Sequence, residues 1–151
     1  MAGLTVKVDK RLFEQRIDAL LAGLSDARSL MQVWGEIAVT SIQENFEQGG
    51  RPQKWQPLSP VTIFFKGHDR ALIGRTGNLA RVGYRAAADQ VVIGTHPASK
   101  DYAAIQHFGG QAGRNRKVTI PARPFMLLQD QDETEMEQAG RAYVQRIGGQ
   151  T

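Results

Sequence analysis

Residues 102–126 read YAAIQHFGGQAGRNRKVTIPARPFM, and the rest of the chain can be ordered around them. Tyr102, Ala103, Ile105 and Phe108 are spaced for a turn or two of helix rather than for a strand. Gly109-Gly110 should stop that helix, because glycine takes a left-handed cap without steric cost. A polar loop with Arg114, Arg116 and Lys117 follows, then the β-prone run Val118-Thr119-Ile120. Pro121 and Pro124 come next, and a strand that ends in prolines lies at a sheet edge or leads out of the sheet. The stretch therefore predicts a hinge between layers with an exposed basic loop at its tip. It shows no obvious catalytic group and reads as an architectural or assembly element.

Just upstream, Leu79 to Ala86 alternates loosely, with Val82 and Tyr84 on one face and Arg81 and Arg85 on the other. A turn at Ala88-Asp89-Gln90 and the run Val91-Val92-Ile93 complete an antiparallel hairpin. At the N-terminus, Leu4, Val6 and Val8 have the period of a half-buried strand, and Asp9 stands where a helix cap belongs. Leu12, Phe13, Ile17, Leu20, Leu21 and Leu24 then form one helical stripe. Asp26 can cap a second helix striped by Leu30, Trp34, Ile37, Ala38, Ile42 and Phe46. Both stripes are expected to be core, with Trp34 as an anchor. A last helix begins in the acidic segment Asp130, Asp132, Glu133, where negative charge suits the dipole. Its apolar face is Met136, Ala139, Tyr143, Val144 and Ile147.

Periodicity fails between Gly49 and Gly77, a stretch with three of the six prolines. Irregular segments this long are uncommon in compact domains and tend to carry function. Trp55, Leu58, Ile63, Phe64 and Phe65 argue against a disordered linker, which would be poor in aromatics. An arm is expected that packs its aromatics on its own core or on a neighbour.

At 151 residues the chain is expected to form a single domain, residues 1–151, with a sizeable core. It has no cysteine, which removes disulfides and thiolate metal sites. The first residues lack the apolar core of a signal peptide, so a cytoplasmic chain is expected unless it leaves within a larger particle. Charge is uneven. Glu47 to Arg123 holds 12 Lys+Arg against 4 Asp+Glu, whereas Pro124 onward holds 2 against 5. A basic middle and an acidic end suit an anionic surface or the acidic ends of sister subunits; a merely solvated face is the plainer alternative.

Catalysis finds little support. His68, His96 and His107 lie in separate segments without metal-ligand spacing, and Ser59 and Ser99 lack a nucleophile elbow. Gly74-Arg75-Thr76-Gly77 lacks the ending of a phosphate loop. No enzyme, cofactor or metal is expected. Arg114, Arg116 and Lys117 suit backbone phosphate contact without sequence readout.

Taken in order, F-x-x-G-G-R-P-x-x-W (Phe46 to Trp55), P-L-S-P-x-T (Pro57 to Thr62), L-I-G-R-T-G-N-L (Leu72 to Leu79), Y-A-A-I-Q-H-F-G-G (Tyr102 to Gly110) and I-P-A-R-P-F (Ile120 to Phe125) resemble the phage virion morphogenesis family. This is the tail-completion group typified by Mu-like and P2-like phages. The resemblance implies a structural protein at the head-proximal end of the tail or in the neck, in a ring of six subunits, without catalytic activity. Its implied partners are itself and other tail and head–neck proteins; the basic loop could face DNA in the lumen or dock an acidic partner. Its implied location is the virion, after assembly in the host cytoplasm.

The expected architecture is α+β: an antiparallel sheet of four or five strands packed against long helices, with an irregular arm at 49–77. Subunit or partner contacts are expected at Trp55, Leu58, Phe64, Phe65, Arg123 and Phe125. Arg123, between two prolines, could be held ready for a neighbour's carboxylate. Arg114, Arg116 and Lys117 are expected to meet DNA or an acidic partner. A non-specific DNA-binding protein of mobile-element origin is the alternative reading.

Overall fold

A second helix of 20 residues, α2 (Arg28–Glu47), is the element on which the longer hairpin and the last helix are packed. The computed structural model of the chain describes residues 11–149, so the strand expected at Leu4 to Val8 and its cap Asp9 lie outside the described residues. Asp26 lies one residue before the N-cap of α2, which is Ala27 rather than the expected Asp26, though its carboxylate accepts the Arg28 N–H at 3.2 Å. Leu30, Met31, Ala38, Ile42 and Phe46 are buried along one face, and Trp34 and Ile37 half-buried.

One side of α2 meets the hairpin β1 (Val82–Ala86) and β2 (Val91–Thr95), paired antiparallel with Tyr84 opposite Ile93. Val82, Tyr84 and Ala86 turn inward and Gly83 and Arg85 outward, as the alternation predicts. Contact with the helix is close because Gly35 has no side chain: a Cβ there would lie 2.3 Å from Tyr84 Cδ2. The other side of α2 meets α5 (Asp130–Gly149), which α1 (Arg11–Ser25) also contacts. Trp34 Nε1 donates to the Met136 carbonyl at 2.8 Å, and the Tyr143 hydroxyl donates to the Gly23 carbonyl at 2.6 Å. These bonds fix α5 to both helices without spending side-chain polarity on solvent.

The core forms two clusters along α2. Ala27, Leu30, Met31 and Tyr143 make one near its start; Ile42, Phe46, Trp55, Leu79 and Phe125 make the other near its end.

Three expectations are corrected. The sheet of four or five strands is two separate two-stranded sheets among the described residues, β1–β2 and the short hairpin β3 (Gly110–Ala112) with β4 (Val118–Ile120). Strands of three residues have few ladder bonds to offer. Gly109 (φ +75) turns them away from α4 (Lys100–Phe108) and abuts the 120–122 backbone, where a Cβ would lie 2.7 Å from Ala122 N. The α1 stripe is not a buried core face. Ile17, Leu21 and Leu24 are exposed and Leu20 is half-buried, because the main packing of α1 is against α5; the side chains of Leu12 and Phe13 lie outside the described residues. Finally, the arm is not irregular throughout, since it contains α3 (Pro60–Lys66).

Candidate assembly surface

The arm has two ends with opposite fates. At its root, Gly50 N donates to the Asn45 carbonyl at 2.8 Å and Trp55 N to the Gly49 carbonyl at 2.8 Å, folding the chain back under α2. Trp55 then enters the core, edge-on to Phe46 at 5.7 Å between centroids, and its Nε1 donates to the Pro124 carbonyl at 3.0 Å. Arg51 spreads three ways: Nε to Asn45 Oδ1 at 2.9 Å, Nη1 to Glu44 Oε2 at 2.6 Å, and Nη2 to the Ser41 carbonyl at 2.7 Å. Asn45, fully buried, donates in turn to the carbonyls of Phe125 and Leu127 at 2.9 and 2.8 Å. Ser41 donates to Asp132 Oδ2, which also accepts the Gln129 N–H at 2.6 Å and so caps α5.

This polar network was not foreseen from sequence. Its signal was there: Ser41 and Asn45 interrupt the apolar face of α2 four residues apart, where buried polar groups demand partners. It explains how a glycine- and proline-rich segment is held, since the buried donors of Asn45 and Arg51 have their acceptors.

Trp55, Phe125 and Arg123 were expected to meet a neighbour, and the structure places all three inside the chain's own core. Phe125 is 1% exposed, its ring against Phe46 and His107 at 5.2 and 5.1 Å. Arg123 turns Nε and Nη2 onto the Gln56 carbonyl at 3.2 and 3.1 Å, so its fork holds the arm rather than projecting outward. Burial lowers its pKa from the ordinary guanidinium value.

His107 has a structural part. Its Nδ1 lies 3.3 Å from Phe125 N and 3.4 Å from Met126 N, accepting from backbone N–H groups, which requires the neutral ring with the proton on Nε2. Burial lowers its pKa, in the direction that keeps it neutral.

The outer end of the arm is α3. Ser59 caps it, its Oγ accepting the Thr62 N–H at 3.2 Å, and Pro60 opens it with a preset φ. Gly67 (φ +78) ends it. No α3 residue is buried, and Phe64 and Phe65 are 81% and 82% exposed, their rings edge-on at 5.5 Å. Val61, on the same helix, is exposed as well. Leu58, half-buried, lines a cavity of about 350 Å³ between the arm and α4, together with Lys66, Asn78, Tyr102, Gln106 and Arg123. A helix capped at both ends that holds two phenylalanines in water is a preformed apolar contact rather than a disordered loop.

Arg114, Arg116 and Lys117 are exposed at the tip of the β3–β4 hairpin, where sequence put them. They lie on a different element from α3, so the structure does not merge the basic loop and the aromatic arm into one site. Among the described residues, no group of three or more His, Cys, Asp or Glu could hold a metal ion, and no helix is long and apolar enough to cross a membrane.

The model of the phage virion morphogenesis family matches residues 8–145, spanning the arm, both hairpins and most of α5. The chain belongs to that family. It is also 33% identical over 137 residues to the Mu-like prophage FluMu G protein 2 of Haemophilus influenzae, covering 88% of this chain and 92% of that protein. No solved structure matches it significantly. Membership accounts for the sequence motifs: the F-x-x-G-G-R-P-x-x-W segment is the arm root, and I-P-A-R-P-F is the strand exit that receives it. A phage virion morphogenesis role follows for the chain, with the α+β fold as its frame.

Proposed function

We propose that this protein is a structural subunit that completes the phage tail and joins it to the head, acting as a homo-oligomeric ring at the head-proximal end of the tail or in the neck. The family and the Mu-like prophage relative support a particle-building role. The observation that carries the finer reading is the Phe64–Phe65 pair, held in water on a capped helix.

The test is a Mu-like phage lacking this chain, supplied with wild-type protein or with Phe64→Ser/Phe65→Ser. Electron micrographs should show filled heads and tails unjoined both without the chain and with the double variant. Joined, infectious particles at wild-type numbers in either case would overturn the reading.

The hairpin tip supports a second reading, non-specific contact with DNA in the lumen. Three phosphate contacts would give a log–log salt slope of about −2.7, so such binding should vanish between low and physiological salt. A ring held by apolar contacts should persist through the same range.

A further inference from the structure

The cavity between the arm and α4 contains two cations and, among the described residues, no carboxylate. Lys66 reaches it from the last turn of α3, its Nζ anchored on the Arg70 carbonyl at 2.7 Å. Arg123 lines it too, with Nε and Nη2 on the Gln56 carbonyl and Nη1 without a protein partner among the described residues. Neither is in an ion pair among the described residues. Burial, and then the Arg123 charge, lower the Lys66 pKa, which is the cost of holding like charges together away from water. Thr76 and Asn78 add polar groups to the rim, while Leu58 and Leu79 give apolar walls. Two fixed cations at the bottom of a partly apolar cup are built for an anion on a hydrocarbon stem.

The chain carries such an anion elsewhere. On α5, Asp132, Met136, Ala139, Tyr143 and Ile147 are buried or half-buried. Asp130 and Glu133 lie in its first turn and are exposed. We propose that the cavity is a socket for a carboxylate of the next copy of this chain, Asp130 or Glu133, inserted beside Lys66 and Arg123. The inference rests on the ring reading above and names the contact that would build it.

Symmetry allows this occupant in two ways. An isologous dimer would make the contact twice, Lys66 on Asp130 and Asp130 on Lys66. A head-to-tail contact makes it once and closes into a ring when the rotation permits, the form that the ring reading takes. Lys66 also lies on the same short helix as Phe64 and Phe65, so one neighbour can cover the phenylalanines and fill the socket. Buried arginine recognises a carboxylate through its planar fork, and the one edge left by Gln56 suits a single carboxylate better than a duplex backbone.

A charge swap on the full-length chain tests this by sedimentation velocity over a range of concentrations, with thermal melting as a check on folding. Lys66→Glu should raise the concentration at which the oligomer dissociates at least tenfold, without lowering the melting temperature. Asp130→Lys/Glu133→Lys should do the same, and combining all three should recover most of the lost assembly. A wild-type oligomer that Lys66→Glu leaves unmoved would overturn the socket and leave the ring standing. So would loss in Lys66→Glu without recovery in the combined variant, since the carboxylate would then come from elsewhere. Wild-type protein sedimenting as single subunits at every concentration would instead overturn the ring reading, and the socket with it.

Discussion

Trp55 and the Phe64–Phe65 pair stand ten residues apart on one arm, yet the indole is 8% exposed and the two rings are 81% and 82% exposed. Composition does not separate them, and neither does hydrophobicity. What separates them is the polar framework. Trp55 is flanked by Arg51, whose fork is tied to Asn45, Glu44 and Ser41, and its own N–H meets the Pro124 carbonyl. Among the described residues α3 has hydrogen bonds only within itself and to its flanks, through Ser59, Gly67 and the Lys66 bond to the Arg70 carbonyl. The root is therefore fixed by the subunit, and the tip is fixed only in its own shape. An aromatic residue is drawn into a core when the backbone beside it can be satisfied there, and otherwise it remains available to a partner.

The strongest way to break the contrast is to attack the buried end. Phe125→Ala removes a ring that is 1% exposed and stacked on Phe46 and His107, and should cost about 4 kcal/mol. For a chain of this size that lowers the melting temperature by about 10 °C in calorimetry. Asn45→Ala should cost about 3 kcal/mol, because it strands the carbonyls of Phe125 and Leu127 and a guanidinium N–H of Arg51. Chemical denaturation should show the loss as a shifted midpoint with an unchanged slope.

A smaller effect follows from His107. Its folded pKa lies below the ordinary 6.5, so the neutral ring is the form the fold prefers. That stability is complete above the unfolded pKa and is lost as pH falls through the folded one. Melting temperature should therefore decline from pH 7 toward pH 5.5, and His107→Gln, which keeps an acceptor, should flatten the decline. An unchanged slope in the variant would place the titrating group elsewhere. Smallest of all for the isolated chain is Phe64→Ser/Phe65→Ser. With both rings already in water, its melting temperature should stay within the effect of about 0.5 kcal/mol, while assembly is lost.

Much of this frame could be read in the sequence. The stripe on α2, the alternation of β1 and the acidic start of α5 each show a single periodicity that one face of burial explains. The stretch 102–126 gave helix, glycine stop, basic tip and strand in the right order. What could not be read was which surface each aromatic residue would meet. Aromatics on an aperiodic arm can pack on the chain's own core or on a neighbour, and an arginine between two prolines can be held for either, so Trp55, Phe125 and Arg123 read equally well as contacts to another subunit. Yet Asn45, 80 residues from Phe125, supplies the bonds that turn that segment inward. Local pattern carries no trace of a partner so distant. The α1 stripe failed for the converse reason: Leu21 and Leu24 have the right period, but the main packing of that helix, against α5, leaves them exposed.

The central claim is that the outer end of the arm is covered by a neighbour in the assembled particle, whereas the inner end is covered within the subunit. Hydroxyl-radical footprinting read by mass spectrometry reports side-chain accessibility in both states. Phe64 and Phe65 should be modified readily in the isolated chain and protected at least tenfold in purified virions, with Trp55 and Phe125 protected in both. Phenylalanines that react as fast in the virion as in the free chain would contradict the account.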